Sequence, residues 1–225
     1  MATLSVSGSA THRHRAERGV VHLTVGFDGD DREKVVRDTA AVHSRLSEQA
    51  TAWRRQEAAT WWSARSVTVA VETGVTTDGG DGVDETRASS GVRFRTRAAV
   101  DVRFSDFDAL ASWVGDVALE PGVTVEWIEW SLSHARRPEV EKAVRVAAVA
   151  DAVTRAGDYA EALGLGQPTV QSVFEPGLRP GAPGGGNPFG LARAVATFSS
   201  GGPVAFDLHP DDIEVSAEVS ADFVA

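Results

Sequence analysis

The stretch DIEVSAEVSADFVA, residues 212–225, indicates how this chain folds. From Ile213 onward every odd-numbered position is apolar, whereas the even-numbered positions from Glu214 to Asp222 carry Glu, Ser or Asp. A period of two places alternate side chains on opposite faces of an extended chain, so this pattern predicts a half-buried β-strand. The stretch TLSVSGSA, residues 3–10, alternates in the same way and predicts a second strand near the other end of the sequence.

Further alternating stretches predict strands between these two, separated by helical patterns. The predicted strands cover residues 20–27, 63–73, 91–105, 123–133, 168–176 and 192–199. The predicted helices are a long one capped by Asp30 or Asp31 and ending near residue 53, a short one capped by Ser105 or Asp106, and a long one from Pro138 to Leu163. In the strand at 91–105 the apolar face is expected to change parity near Ala98–Ala99, which predicts a bulge or bend.

The mixed order of elements predicts the fold class. Several strands have one polar face, so we expect an α+β fold with a largely antiparallel sheet, two long helices and one short helix. Residues 1–225 are predicted to form a single domain with flexible loops at about 76–90 and 176–190, because these loops are rich in Gly, Pro or acidic residues. Strand–helix–strand units occur before and after residue 90, which is compatible with two related halves.

Charge and composition exclude several classes of function. The net charge of −10 argues against nucleic acids and anionic membrane surfaces as partners, because both attract basic faces. The sequence has no cysteine, which excludes disulfides, thiolate metal ligands and cysteine nucleophiles. No apolar run approaches the roughly 20 residues that cross a bilayer, and MATLSVSGSATHRHR lacks the pattern of an export signal. We therefore expect an acidic, soluble, cytoplasmic protein.

Two glycine-rich stretches could suggest a phosphate site. GAPGGGNPFG, residues 181–190, has no nearby lysine, and its prolines remove backbone donors, so it does not match a P-loop. GLGQPT, residues 164–169, shares only the first two glycines of a dinucleotide fingerprint and follows a helix rather than preceding one. We interpret the first as a loop and the second as a helix cap, and we expect no cofactor.

Three histidines and two acidic stretches are the candidates for a metal site. His12 and His14 would share a face of a strand, with His22 as a third ligand if a hairpin brought it close. The alternative is a solvated basic turn. DGDD at 28–31 and DGGDGVDE at 78–85 are acidic, but neither follows the ligand order of an EF-hand. We expect no metal ligand among these residues.

No motif for catalysis is evident, since Gly-x-Ser-x-Gly, His-Glu-x-x-His and a supported pair of carboxylates are absent from the sequence. We therefore predict no catalytic residue and no enzymatic activity. The tryptophans are more informative: Trp61 and Trp62 are adjacent, and Trp127 and Trp130 have opposite parity, so in a strand each pair places large apolar groups on both faces. Core packing is the default explanation, and a protein interface, where tryptophan is enriched, is the alternative.

The whole series of elements resembles the SIMPL-domain family. An amphipathic helix follows the second strand, and the similarity lies in the order and spacing of several stretches. These are LSVSGSA (4–10), RASSGVRFRTRAAVDVRFSDFDALASWVGD (87–116), VTVEWIEWSLS (123–133), PEVEKAVRVAAVADAVTRAGDYAEALGLG (138–166) and DDIEVSAEVSADF (211–223). The chain departs from the family pattern in lacking an export signal and in having HRHRAERG (12–19) where members often have a short proline–aspartate turn.

The resemblance implies an α+β domain in a bacterial protein that is usually exported to the periplasm or envelope. Some members form ring-like homo-oligomers, an animal relative associates with a signalling kinase, and no enzymatic activity is established. We therefore expect a non-catalytic scaffold that binds copies of itself or another protein, with the terminal strands either completing their own sheet or pairing with another subunit. The alternative is a small-ligand-binding protein or enzyme with a site built from the loops at 78–90 and 176–190.

Overall fold

The computed structural model describes residues 2–74, 91–180, 195–196 and 208–225. Its elements in chain order are β1 (Thr3–His14), β2 (Arg18–Gly29), α1 (Arg32–Arg55), β3 (Ala59–Gly74), β4 (Gly91–Phe104), α2 (Phe107–Val117), β5 (Val123–Ser131), α3 (Arg136–Ala162), β6 (Thr169–Phe174), β7 (Val195–Ala196) and β8 (Ile213–Val224). The α+β class and the count of two long helices and one short helix are thereby confirmed for the described residues.

The chain divides into two compact units that interleave in sequence. The terminal unit consists of Met1–Glu17, Trp130–Ala194 and Pro210–Ala225, and the central unit consists of Arg18–Glu129 and Val195–His209. Because the terminal unit takes both ends of the sequence, the units do not correspond to halves before and after residue 90.

In the terminal unit, α3 covers one face of a three-stranded sheet with the strand order β1–β8–β6. β8 is antiparallel to both neighbours, and its register with β1 runs without a shift from Thr3 opposite Val224 to His14 opposite Ile213. The odd-numbered residues of β8 are buried, as the period of two predicts. β8 therefore completes its own sheet and has neither edge free.

In the central unit, the described strands form a sheet with the order β3–β4–β2–β5–β7. α1 begins where the Asp31 carboxylate accepts hydrogen bonds from the backbone N–H groups of Glu33 and Lys34, and the buried stripe of this helix packs on the sheet. Val21, Leu23 and Val25 of β2 lie in this core. They pair with Val102, Val100 and Ala98 of β4, which are also buried, so this face of the sheet is largely apolar. The exception is the buried Thr96, which hydrogen-bonds Thr39 of α1.

The predicted change of parity in β4 near Ala98–Ala99 is wrong. The even-numbered residues of β4 stay on the core face to the end of the strand, and its register with β2 has no shift. The irregularity lies instead in β3, where Arg65 pairs with Ala99 and Val67 pairs with Ala98. The extra residue in β3 turns its following residues to the other face of the sheet.

Most of the remaining boundaries follow the predictions within a few residues. The chief difference is at HRHR, where β1 continues to His14 instead of ending in a turn. The predicted loop at 76–90 and most of the loop at 176–190 lie outside the described residues. In the described part of the chain, no helix combines the length and apolarity needed to cross a lipid bilayer.

Candidate functional site

The face of the central sheet opposite α1 carries the most concentrated polar chemistry of the described residues, and we call it the open face. The side chains on this face belong to the residues of β2 and β4 that alternate with the buried core residues of the same strands. The register puts Ser63, Asp101 and His22 in one row across β3, β4 and β2. Residues from three distant parts of the sequence therefore meet on adjacent strands.

Asp101 is the centre of this row. It is only 4% exposed, although it lies on the open face. Its Oδ1 lies 2.8 Å from Nδ1 of His22, and Nη2 of Arg65 donates a hydrogen bond to its Oδ2. Both carboxylate oxygens are thus bonded, as a buried charge requires.

His22 is enclosed on its other sides. Its ring stacks on Trp127 with 4.6 Å between the ring centroids and an angle of 26° between the planes. Its Nε2 is buried, makes no hydrogen bond, and lies 3.8 Å from Oε2 of Glu129. We call these five residues, Arg65, Asp101, His22, Glu129 and Trp127, the His22 cluster.

The geometry of the His22 cluster limits its chemistry. A histidine that acts as a general base needs a nitrogen within hydrogen-bond reach of a substrate atom. In His22 one nitrogen is bound to Asp101, and the other is buried towards Glu129. Within the described residues, no group of three or more His, Asp or Glu side chains has the geometry of a metal site. The arrangement is suited to fixing Trp127 in place on the surface.

A cavity of about 440 Å³ lies on the same face, and we call it the open-face trough. It is bordered by Arg95 and Arg97 of β4, Thr24 and Gly26 of β2, Thr124 and Glu126 of β5, and the adjoining Phe27, Asp28, Thr96 and Gly122. Gly26 is opposite Arg97 in the register, and its backbone N–H donates to the carbonyl oxygen of Gly122 at 2.8 Å.

Gly26 lies where the backbones of β2 and β4 approach closely. A methyl group there would lie 2.7 Å from the carbonyl oxygen of Thr96, so a larger residue would require β4 to shift. Asp28 is bound by Arg93 at 2.8 Å. Arg97 and Glu126 are exposed, and neither side chain has an ion pair or hydrogen bond within the part of the chain that the structure describes.

A second polar cluster, the Asp222 cluster, lies in the terminal unit on the sheet face opposite α3. Asp222 of β8 accepts hydrogen bonds from Ser5 at 2.6 Å, from Ser172 at 3.2 Å and from Arg179. Arg179 also donates to Ser220, and its guanidinium carbon lies 5.5 Å from the centre of the Phe174 ring. The hydrogen bond from Ser5 and then the bonds from Arg179 and Ser172 hold the pKa of Asp222 below its usual range.

The sequence-based candidates for a metal site are not brought together as a group of ligands. His12 and His14 share a face of β1, with 6.4 Å between their ring centroids, and no acidic group joins them to form a metal site among the described residues. His22 belongs instead to the His22 cluster. In DGDD, Asp28 forms the ion pair with Arg93, and Asp31 caps α1.

The interpretation of GLGQPT as a helix cap is confirmed. Gly164 has a φ of +65°, a left-handed conformation that favours glycine, and its N–H donates to the carbonyl oxygen of Glu161. The stretches GAPGGGNPFG (181–190) and DGGDGVDE (78–85) lie outside the described residues.

The tryptophans divide between core and surface. Trp113 and Trp130 are each 2% exposed, which fits the default of core packing. Trp61 and Trp127 are 38% and 39% exposed. Trp61 lies 5.6 Å from the guanidinium carbon of Arg103, and Trp127 stacks on His22. The expected opposite faces of Trp127 and Trp130 are thus observed.

Sequence reasoning missed both polar clusters. One signal for the first was available, since Asp101 is an acidic residue between Val100 and Val102 in a strand otherwise rich in arginine. A charge at such a position needs a partner. No local signal indicates Arg179, because its carboxylate partner is 43 residues away in the sequence.

Comparison with known families gives one match. A family model described as SIMPL, a protein of unknown function (DUF541), matches residues 4–223, which is essentially the whole chain. No curated protein matches the chain.

Proposed function

The chain belongs to the SIMPL family, whose molecular activity is unknown, and from this premise we propose that it is a non-catalytic scaffold that assembles with copies of itself. The proposed interface is the edge strand β3. A different protein with a complementary strand edge is the second kind of partner that this surface would accept.

The observation that carries the proposal is a row of exposed valines on β3. This strand is 16 residues long and forms one edge of the central sheet. Val67, Val69 and Val71 alternate along it and are 60%, 37% and 56% exposed. A long edge strand with exposed apolar side chains invites pairing with another strand, and stable monomers protect such edges with charges, proline or bulges.

The sequence of this edge favours a second copy as the partner. From Val67 to Val71 there is no charged residue, so two identical edges can approach without repulsion between like charges. The bulge that precedes Val67 leaves the following pairs with β4 regular up to Gly74. Two such strands related by a twofold axis would pair antiparallel and bring their valine rows together.

The proposed lack of catalysis rests on the His22 cluster. Its one imidazole has both nitrogens directed at carboxylates of the same chain, and Trp127 covers a face of the ring. This closed arrangement supports a structural role in presenting an aromatic surface rather than proton transfer to a substrate.

Light scattering after size exclusion, over a wide range of concentration, tests the assembly. We expect the wild type to have a mass that is a discrete multiple of 23.8 kDa and survives dilution. The double variant Val67→Lys, Val71→Lys should elute as a 23.8 kDa monomer, because two lysines on each edge would repel and would require desolvation. Both positions are exposed, so the substitutions should leave the folded subunit intact.

The matched control is Val146→Lys. Val146 lies on α3 and is 62% exposed, which is comparable to Val67. This control should keep the mass of the wild type. A wild type that is monomeric at all concentrations, or a double variant with unchanged mass, would contradict the proposed interface.

The alternative function would have a site built from the loops at 78–90 and 176–190, and most of this site lies outside the described residues. Residues 176–180 are described, and Arg179 among them donates a hydrogen bond to Asp222. The cytoplasmic location expected from the sequence stays a prediction, which fractionation of cells producing the untagged protein would check.

A further inference from the structure

We infer that the free edge of β1 is a second surface for pairing with another copy of this chain, and that Asp151 of α3 keeps this edge closed. β1 is an outer strand of the terminal sheet, because the described strands of that sheet have the order β1–β8–β6. The edge belongs to the terminal unit, so its pairing does not depend on the interface proposed on β3 of the central unit.

Alternate backbone groups of β1 point away from β8. Ala2 and Ala225 exchange two backbone hydrogen bonds, at 2.8 Å and 3.0 Å, so they form a hydrogen-bonded pair. The register of β1 with β8 has no shift, so pairs of this kind recur at the even-numbered residues of β1. The N–H and C=O groups of Ser5, Ser7 and Ser9 therefore point outward, to the free edge.

The sequence of this edge is compatible with a second copy as the partner. The stretch from Thr3 to Thr11 has no charged residue and no proline, so two identical edges can approach without repulsion between like charges. A twofold axis at Ser7 would place Ser5 of each copy opposite Ser9 of the other. These serines are exposed, and serine side chains that face each other on neighbouring strands can form hydrogen bonds.

Asp151 occupies the outward N–H group of Ser9. Its Oδ2 accepts a hydrogen bond from this N–H at 2.9 Å and lies 3.0 Å from Nε of Arg155, which follows one turn later in α3. A strand that pairs with β1 would need the same N–H group, so it would have to displace a carboxylate that is bonded to two donors. Charged side chains placed at a strand edge protect it against such pairing.

The position and the charge of Asp151 are both fixed by its surroundings. Gly8 lies against Ala148 and Ala152 of α3, and this close approach of helix and strand brings the Asp151 carboxylate within reach of the edge. The hydrogen bond from Ser9 and then the one from Arg155 hold the pKa of Asp151 below its usual range. The carboxylate is therefore ionised at neutral pH, and the edge carries its charge.

Closure of β1 has a consequence for the size of the assembly, and this consequence rests on the interface proposed on β3. A subunit with one open edge forms a closed dimer about a twofold axis, whereas a subunit with two open edges can continue to add copies. With β3 as the open edge, Asp151 limits the assembly to a discrete size.

Light scattering after size exclusion of the full chain carrying Asp151→Ala and Arg155→Ala tests the inference. Both residues are replaced, so that no unpaired guanidinium remains beside the edge. We expect the mass of this double variant to rise with concentration and to reach about twice that of the wild type or more, because a second edge is open. A mass equal to that of the wild type at every concentration would overturn the inference.

A lysine on the edge shows whether the association of the double variant involves β1. Ser7→Lys, added to the double variant, should restore the mass of the wild type, because the two lysines would face each other at the twofold axis. Ser7 is exposed, so the substitution should leave the folded subunit intact. A raised mass that persists with Ser7→Lys would contradict pairing at β1.

Amide hydrogen exchange measured by NMR tests the contact of Asp151 with Ser9 directly. The comparison is between Ser7→Lys alone and Ser7→Lys added to the double variant, since neither should pair at β1. The N–H of Ser9 should exchange about tenfold faster or more when Asp151 and Arg155 are replaced, because a hydrogen bond to a charged group is lost. Equal exchange rates would contradict the role assigned to Asp151.

The matched control is Lys34→Ala with Asp38→Ala, which removes an ion pair of the same i,i+4 spacing from α1 in the central unit. It should keep the mass of the wild type. The mass of the wild type separates this inference from the proposed interface on β3. A monomeric wild type whose Asp151→Ala, Arg155→Ala variant dimerises would contradict the β3 interface and support the closed edge of β1. A multimeric wild type whose variant has the same mass would overturn the closed edge alone.

Discussion

Gly8 of β1 lies directly against Ala152 of α3. A methyl group added to the glycine would lie 2.7 Å from the Ala152 methyl carbon and closer still to the carbonyl oxygen of Ala148. The buried stripe of α3 is Val140, Val144, Ala148, Ala152, Ala156 and Ala160. The helix and the sheet of the terminal unit thus approach closely because small residues face each other at the point of contact.

The substitution Gly8→Ala should therefore destabilise the protein. We expect the free energy of unfolding in urea to fall by about 3 kcal/mol, because the backbone of α3 would have to move away from β1. The control is Gly157→Ala on the same helix, where an added methyl group meets nothing within 4 Å. It should increase the free energy of unfolding by about 0.5–1 kcal/mol through helix propensity. An unchanged stability in Gly8→Ala would show that the close approach is relieved at little cost.

His22 and Asp101 should be energetically coupled. A double-mutant cycle with His22→Ala and Asp101→Ala should give a coupling free energy of about 1–2 kcal/mol in urea unfolding, because their hydrogen bond is shielded from water. The control cycle combines His22→Ala with Asp28→Ala, whose surface ion pair lies six residues further along β2. This control should show coupling below about 0.5 kcal/mol. Equal coupling in both cycles would contradict a specific bond.

Removal of β8 should unfold the terminal unit selectively. Deletion of residues 212–225 takes away the central strand, on which both β1 and β6 depend for their described strand pairing. Hydrogen exchange measured by mass spectrometry should show loss of protection in β1 and α3, with protection retained in β2 and β4. Deletion of Ala225 alone, which removes the backbone pair with Ala2, should leave protection in β1 almost unchanged. Persistent protection of β1 in the longer deletion would be evidence against this dependence.

The elements of this fold were largely predictable, because each depends on a local period. The alternation in β8 and the Asp31 cap of α1 are properties of a few neighbouring residues. The sequence predicts the bulge in β4, but it lies in β3, because a change of face is defined by two paired strands. The register between Arg65 and Ala99 is not contained in the sequence of β4 alone.

The candidate sites were less predictable for a related reason. His22 and Asp101 are 79 residues apart, and only the pairing of β2 with β4 brings them to 2.8 Å. The open-face trough likewise brings together residues of three strands, β2, β4 and β5. Strand order in an antiparallel sheet is a long-range property, so local patterns indicate which residues share a face but not which faces meet.

The Asp222 cluster should make stability depend on pH in the acid range. Folding lowers the pKa of Asp222, so in the window just below the unfolded value of about 4 the unfolded state binds more protons than the folded state. The contribution of this carboxylate is therefore fully present above that window and is lost as the pH falls through the folded pKa. Stability of the wild type should decline across this range more steeply than that of Asp222→Asn, because this variant has no carboxylate to protonate at position 222.

Urea unfolding of both proteins at a series of pH values from 6 down to the acid limit of reversible folding measures this difference. Asp158→Asn serves as the control, because Asp158 is an exposed residue of α3 in the same unit. Its profile should parallel that of the wild type. The substitution Arg179→Gln should flatten the profile only in part, since the hydrogen bond from Ser5 is the larger cause of the lowered pKa. If Asp222→Asn and the wild type lost stability in parallel as the pH falls, the pKa of Asp222 would be the same in the folded and unfolded states, which would contradict the prediction.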